Sequence, residues 1–342
     1  MNKPTVHDIA REAGVSLSTV DRVLNERSGV RAFNVEKVKA AVEKLGYVRD
    51  TNAANLAKKR QYRFLFVLPD GASQFVDTLS AALNEAVAGL LIERVTAQIL
   101  HVDATDPHAI VLALESIDPA RCDGVAIMAP ETPQVRDAIL HLKEAGLPVV
   151  ALVSNLPNSN VDHFVGVNNR QAGKTAALLL GRFIRRDHGS ILVVTNSMLA
   201  RDSIERRYGL DELMAQDFPG LGPLPTVELH DDPHRIAQVV STALQTHADL
   251  AGIYSMATGN AALLDCLRRA KRLNDLVFVA HELTPVTSSA LLDGEIDAVI
   301  KQDVGHLVRS ALRVLRAKVD GMSILPAQER IRIEIVIREN LL

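Results

Sequence analysis

Between Ser16 and Arg31 the chain sets out hydroxyl, amide and guanidinium groups at helical spacing. On a helix that starts after Ser16, residues Leu17, Ser18, Asp21, Arg22 and Asn25 share the outward face. Arg22 can grip two acceptors at once, as guanine O6 and N7 require in a major groove, and an N-terminal pair such as Leu17 and Ser18 meets base edges there. Ser16, Thr19, Asn25 and Arg31 suit phosphate oxygens. Periodicity alone fits equally well a small helical domain whose polar face is simply solvated.

Three other spacings fail at a defining residue. Gly166 to Gly173-Lys174-Thr175 ends like a phosphate loop, but such a loop needs four residues between its glycines, and here the amides would miss the phosphate. Lys174-Thr175 is expected to begin a helix instead. His281-Glu282 opens like a zinc-protease motif, yet its fifth residue is Pro285, which would break the helix that brings two histidines to one metal. In His230-Asp231-Asp232-Pro233-His234 the expected roles are Asp232 as helix N-cap and Pro233 as first helical residue, with the histidines solvated. No nucleophile, base and orienting group are brought together by spacing, so neither an enzyme, a cofactor nor a metal is expected.

The elements that must position the N-terminal donors follow from the apolar pattern. Thr5 can cap a helix with Val6, Ile9, Ala10 and Ala13 on one stripe, and Gly14 ends it. Ser16 can cap a second helix with Val15, Thr19, Val20, Val23 and Leu24 inward. Asn34 is expected to begin a third, with Val35, Val38, Ala41, Val42 and Leu45 inward and Gly46 past its end. Two short helices across a tight glycine turn, braced by a third, form a helix-turn-helix.

From Arg63 onward the pattern changes. Near-continuous apolar runs at Phe64–Leu68, Gly124–Met128, Val149–Val153, Ile191–Val194 and Leu276–Ala280 read as strands buried on both faces of a parallel sheet. Amphipathic segments such as Leu79–Leu91, Gln134–Ala145, Gln171–Arg185 and Asn260–Ala270 alternate with them. That alternation predicts a doubly wound α/β fold, with ligands bound outside the carboxyl ends of the strands.

Composition agrees with a division into two parts. Of 342 residues, the first 60 carry 12 Lys/Arg against 7 Asp/Glu, while the remainder carry 26 against 34. A small basic head on an acidic body is the footprint of a chain that meets a polyanion at one end. No apolar run approaches the roughly 18 residues of a membrane span. The N-terminus lacks a secretory layout, and Cys122 and Cys266 stand far apart, so a reducing cytoplasm is expected.

The stretch Thr5-Val-His-Asp-Ile-Ala-Arg-Glu-Ala-Gly-Val-Ser-Leu-Ser-Thr-Val-Asp-Arg-Val-Leu-Asn25 resembles the headpiece of the lactose-repressor (LacI/GalR) family of bacterial transcription regulators. The resemblance continues through Val38–Tyr47 and into Asn52-Ala-Ala-Asn-Leu-Ala-Lys-Lys-Arg60, which is similar to that family's hinge helix. It implies that two hinge helices pair on an operator and that Leu56 wedges into its central minor groove, with Ala53 small enough for close approach. Thr5 and Asn34 join the implied DNA-facing set. In the body, Pro69-Asp70 to Phe75, Val165–Gly173, Arg206-Arg-Tyr-Gly209 and Val299–Asp303 resemble landmarks of the periplasmic-sugar-binding-protein-like domain of these repressors. That implies Phe75 stacking on a sugar, Arg206 clamping hydroxyls or a carboxylate, Glu282 and Gln302 meeting ring hydroxyls, and Asp70, Arg201 and Asp202 in adjoining loops.

The chain also departs from the family. Asp21 stands where a serine near phosphate is common, and Asn34-Val35 where a Thr-Arg pair is usual. In the cleft, Ser154-Asn155 replaces an Asp-Arg pair, and Ser255 to Asn260 lacks the usual Asn-Asp pair. The neutral Ser154, Asn155, Ser255 and Asn260 point to a hydroxyl-rich effector, a sugar or polyol. The expected layout is a headpiece at 1–48, a hinge at 49–61 and an effector domain at 62–342. Its N-lobe is expected at 62–162 and 292–322, and its C-lobe at 163–291 and 323–342. Expected partners are a pseudo-palindromic double-stranded operator, the small effector and a second copy in a homodimer, with no membrane. The same residues leave open a corepressor or activator, or a transporter's solute-binding protein, which would explain the body but not the basic head.

Overall fold

A computed structural model describes residues 4–24, 28–47, 60–71, 73–90, 94–230, 232–257 and 259–341. The chain forms two compact units, Met1–Arg60 and Gln61–Leu342.

The first unit holds α1 (Val6–Ala13), α2 (Leu17–Leu24) and α3 (Ala32–Leu45). Thr5 and Asp8 form a capping box: the Thr5 hydroxyl accepts from the Asp8 amide, and the Asp8 carboxylate accepts from the Thr5 amide at 2.9 Å. Gly14 takes a left-handed conformation, φ 62°, and its amide donates to the Ala10 carbonyl, which turns the chain toward α2. Ser16 Oγ accepts from the Thr19 amide at 3.2 Å. Ile9, Ala13, Val20, Val38 and Ala41 form the core, with Val15, Val23, Leu24, Val42 and Leu45 packed around it. Two expectations shift: Val6 is exposed, and α3 begins at Ala32 with Arg31 at the N-cap, so Asn34 lies within the first turn.

In the second unit, β1 (Tyr62–Pro69), β2 (Val95–Val102), β3 (Gly124–Ile127), β4 (Val149–Leu152) and β5 (His163–Val165) form one parallel sheet in the order β2-β1-β3-β4-β5. Helices α4 (Gln74–Gly89), α5 (Pro107–Glu115) and α6 (Pro133–Glu144) follow its first three strands. The second sheet contains β6 (Gly189–Thr195), β7 (Leu221–Pro223), β8 (Val227–Glu228), β9 (Leu250–Met256), β10 (Val277–His281), β11 (Ala298–Gln302) and β12 (Ile333–Val336). Its order is β12-β11-β10-β9-β6-β7 with β8 also on β6, and only β12 runs antiparallel to its neighbour. The helices α7 (Asn169–Phe183), α8 (Arg201–Asp217), α9 (Pro233–Thr246), α10 (Asn260–Arg269) and α11 (Pro285–Leu292) belong to this half, while α12 (Val304–Val319) returns to the first. There Leu307, Val308, Ala311 and Leu315 pack with Phe64, Phe66 and Val150.

The two halves exchange chain at points other than those expected. β5 pairs with β4, so residues 163–165 belong to the first sheet. β11 pairs with β10, so 298–302 belong to the second rather than to the N-lobe segment expected from 292. Ile324 and Ile331 still pack against the first core, which puts the last crossing between Ile331 and β12 rather than at 323. The apolar runs named above are β1, β3, β4, β6 and β10. The half-exposed edge strand β2 and the fully buried β9 escaped notice.

The capping chemistry accounts for several boundaries. Ser73 caps α4, which therefore starts five residues before Leu79 and carries Phe75 in its first turn. Asn168 caps α7, so Lys174 lies in the second turn instead of starting the helix, with Nζ 2.6 Å from Glu212 Oε1. Asp232 caps α9 with Pro233 behind it, as expected. Among the described residues no helix is long and apolar enough to cross a membrane.

Candidate functional site

A cavity of about 360 Å³ lies between the carboxyl ends of the two sheets, within the range of small-molecule sites. Asp70 follows β1, Asp103 and Thr105 follow β2, Met128 follows β3 and Ser154 follows β4. From the second sheet come Met256 at the end of β9, His281 at the end of β10 with Glu282 just past it, and Gln302 at the end of β11. Phe75 enters from α4, and Asp202 and Arg206 from α8.

Arg206 is the hub. Its side chain is buried, and Nε donates to Asn169 Oδ1 at 2.9 Å. Nη1 lies 3.6 Å from Asp202 Oδ2 and Nη2 lies 3.9 Å from Glu282 Oε1. Asn169, wholly buried, donates in turn from Nδ2 to the Val153 carbonyl at 3.1 Å, which ties the cleft's cation to the end of β4 in the other half. A second tie crosses the same gap: the Asp202 amide donates to Ser154 Oγ at 3.3 Å. The position of Arg206 is set by an unusually close helix pair. A Cβ on Gly173 would lie 1.9 Å from the Arg206 carbonyl oxygen, and one on Gly209 would lie 2.0 Å from that of Arg170, so α7 and α8 pack backbone against backbone.

Glu282 accepts from the Gln302 amide at 3.2 Å and from Gln302 Nε2 at 3.1 Å. Burial raises its carboxyl above the ordinary range, and Arg206 and Gln302 offset that rise only in part. Gln302 Oε1 is buried with no hydrogen-bond partner among the described residues. Beside it, His281 Nε2 sits 2.8 Å from the buried Tyr254 hydroxyl. Burial, with Arg206 nearby, drives the His281 pKa well down, so its ring is neutral. At the rim, Asp103 accepts from the Thr105 amide and hydroxyl, which lowers its pKa.

Of the eleven expected effector residues, the cavity is lined by Asp70, Phe75, Ser154, Asp202, Arg206, Asn260, Glu282 and Gln302. The remaining three stand elsewhere. Asn155 caps its own loop, its Oδ1 accepting from the Leu156 amide. Arg201 points along α8 to Glu205 at 2.9 Å. Ser255 is fully buried and donates to Asn260 Oδ1 at 2.7 Å, so it acts on the cleft through Asn260. Asn260 spends its amide nitrogen on the carbonyls of Ala257 and His281. Asn169, Tyr254 and Asp103 were missed, and His281 entered only as part of a failed zinc motif. The one available signal for Asn169 was the doubled Asn168-Asn169, where a single asparagine suffices for the cap.

In the first unit, Ser16, Leu17, Ser18, Arg22 and Arg31 are exposed, and Thr19 and Asn34 are half-buried. Ser16 Oγ lies 2.9 Å from both Ser18 Oγ and Thr19 Oγ1, a cluster of hydroxyls at the start of α2. Thr5 is exposed, but its hydroxyl is engaged with Asp8. Asn25, Ala53 and Leu56 lie outside the described residues. Among the described residues no cluster of His, Cys, Asp or Glu is arranged to hold a metal.

Residues 64–323 match the family model described as periplasmic binding protein domain, and residues 5–50 match that of bacterial regulatory proteins, lacI family. Among curated relatives, a probable HTH-type transcriptional repressor ExuR of Bacillus subtilis is 24% identical over 221 residues, 63% of this chain and 62% of that protein. Catabolite control protein A of Priestia megaterium is 26% identical over 194 residues, 57% and 55% of the two chains. The maltose regulon regulatory protein MalI of Escherichia coli is 38% identical over 85 residues, a quarter of each. These matches span less than two thirds of the relatives' lengths. Among solved structures, a solute-binding protein of Burkholderia graminis in complex with D-arabinose superposes with a TM-score of 0.73 at 24% identity, covering 82% of this chain and 96% of that one. A putative LacI regulator of Bacteroides fragilis gives 0.69 at 18% identity, covering 82% and 98%. At these identities the structures establish the fold alone. The chain belongs to the periplasmic binding protein domain family, and its N-terminal helix-turn-helix is that of the lacI family of bacterial regulatory proteins.

Proposed function

We propose that this protein is a sequence-specific DNA-binding transcription regulator, a repressor, whose operator affinity is lowered by a hydroxyl-rich small molecule bound between the two halves of its body. The observation that carries the reading is the joining, in one chain, of a lacI-type helix-turn-helix to a cleft floored by Arg206, Glu282 and Gln302. The names of the curated relatives support the regulatory part. The solute-binding structures supply only the fold.

On DNA, Leu17, Ser18 and Arg22 would meet base edges. Ser16, Thr19, Asn25, Arg31, Thr5 and Asn34 would meet phosphates, while Ala53 and Leu56 would act at the central minor groove. A homodimer would present two such heads to a pseudo-palindrome, in the cytoplasm. In the cleft, Phe75 would take the apolar face of a sugar or polyol, and Arg206, Glu282, Gln302 and Asp202 its hydroxyls. Ser154, Asn260 and Asp70 complete the wall. Since operator and effector would bind different states of one molecule, each weakens the other by the same factor.

The test is in vitro selection of duplexes from a random pool by the full chain, followed by titration of a sugar and polyol panel against the bound duplex. An enriched inverted repeat, lost in Arg22→Ala and released by a panel member, is the expected outcome. A chain that enriches no repeat is not a regulator of this kind. Release replaced by tightening would reverse the sign of control.

A further inference from the structure

The charges around the cleft are unbalanced. Four carboxylates, those of Asp70, Asp103, Asp202 and Glu282, line it against a single arginine, Arg206, and among its described lining residues there is no lysine. That arginine is already flanked by Asp202 at 3.6 Å and Glu282 at 3.9 Å, so its charge is offset before any ligand arrives. An independent observation concerns hydrogen bonding. Gln302 is only 2% exposed, yet its Oε1 has no partner among the described residues. Both Glu282 oxygens accept from Gln302, which turns the amide nitrogen toward the carboxylate and leaves its oxygen facing away. A buried acceptor left unmade is costly, and Gln302 is one of the lining residues, so a ligand donor that reached this oxygen would relieve that cost.

We infer that Asp202 and Glu282 make the cleft a charge filter, admitting polyhydroxylated ligands that are neutral or amino-substituted, donating to Gln302 Oε1, and rejecting those that carry a carboxylate or phosphate. This rests on the effector reading above and narrows it. A ligand carboxylate near Arg206 would also lie near two protein carboxylates. At an effective dielectric of about 20, one unit-charge repulsion at about 5 Å changes a dissociation constant by roughly 300-fold. A hydroxyl or ammonium suffers no such penalty and supplies the missing donor.

The experiment uses matched ligand sets that differ in one group: each hexose of a panel, its 2-amino-2-deoxy form, its uronate and its 6-phosphate. Each is titrated calorimetrically against the full chain. In whichever set binds, the neutral and amino members should agree within about tenfold, and the uronate and phosphate should be weaker by roughly 300-fold. In Asp202→Asn/Glu282→Gln, which keeps side-chain shape, the uronate should come within about tenfold of the neutral sugar. An unliganded melting temperature close to that of the wild type reports that the variant is folded, and the wild-type series decides the question without it. A uronate or phosphate that binds the wild type as well as its neutral partner overturns the filter alone. A complete absence of binding across every set overturns the effector reading and the filter together.

Discussion

Replacing Asn169 with alanine tests whether the tie between the cleft's arginine and the opposite half is a structural necessity. The substitution removes two hydrogen bonds made in full burial, Nδ2 to the Val153 carbonyl at 3.1 Å and Arg206 Nε to Oδ1 at 2.9 Å. Val153 is 3% exposed and Arg206 is 4% exposed, so water does not readily replace either partner. An orphaned buried carbonyl costs about 1–3 kcal/mol, and a hydrogen bond to a charged group is worth about 1.5–3 kcal/mol. Relaxation recovers part of this, which leaves a loss of about 2–4 kcal/mol in urea unfolding. The ligand found by panel screening should bind at least tenfold more weakly, because Arg206 loses the contact that orients its guanidinium. Asn169→Asp separates the two arms: it still accepts from Arg206 but cannot donate to Val153. Its affinity should therefore lie nearer the wild type than that of the alanine variant, while its stability does not recover fully. An alanine variant that loses less than about 0.5 kcal/mol and keeps its ligand affinity would refute the reasoning.

Three further outcomes are expected. Gly209→Ala places a Cβ 2.0 Å from a backbone oxygen of α7, so the helix pair must part at a cost of about 3 kcal/mol or more, whereas Gly222→Ala meets nothing within 4 Å and should be nearly neutral; thermal melting distinguishes them. Burial alone would raise the Glu329 carboxyl, but hydrogen bonds from Arg313 and Ser310 more than offset this and hold it below 4.5. Its contribution to stability is thus present above about pH 4.5 and lost as pH falls through the lowered value, so the gap between wild type and Glu329→Gln should close in acid. Thr5→Ala removes one half of the capping box and should cost about 1 kcal/mol locally, read as faster amide exchange in α1 of the full chain.

Much of the architecture was legible because it depends on patterns local to the chain. Buried parallel strands read as apolar runs whatever they pair with, and β1, β3, β4, β6 and β10 did so. Caps read equally well at Thr5, Ser16 and Asp232, since a short polar side chain meets an amide only two or three residues away. What the pattern did not reveal was which sheet a strand joins. β5 and β11 sit beside the crossings, where membership depends on pairing partners far along the chain, and each was assigned to the wrong half.

The cleft divides along the same line. Phe75, Arg206, Glu282 and Gln302 were found through resemblance to a known pattern, and all four line the cavity. Asn155 and Ser255 stand where the resemblance implies charged ligand contacts, and Arg201 where it implies an adjoining loop, yet each is engaged by a nearer partner: Glu205 one helical turn on for Arg201, the adjacent Leu156 amide for Asn155, and Asn260 for Ser255. Asn169 fell outside the choice because its role exists only when α7 and α8 touch, and that contact is permitted by two glycines 36 positions apart. A polar residue on a small-residue helix face reads as solvated until its neighbour is known. Here the neighbour is an arginine with two carboxylates beside it. The amide becomes the link through which the charge of the cleft reaches the opposite half.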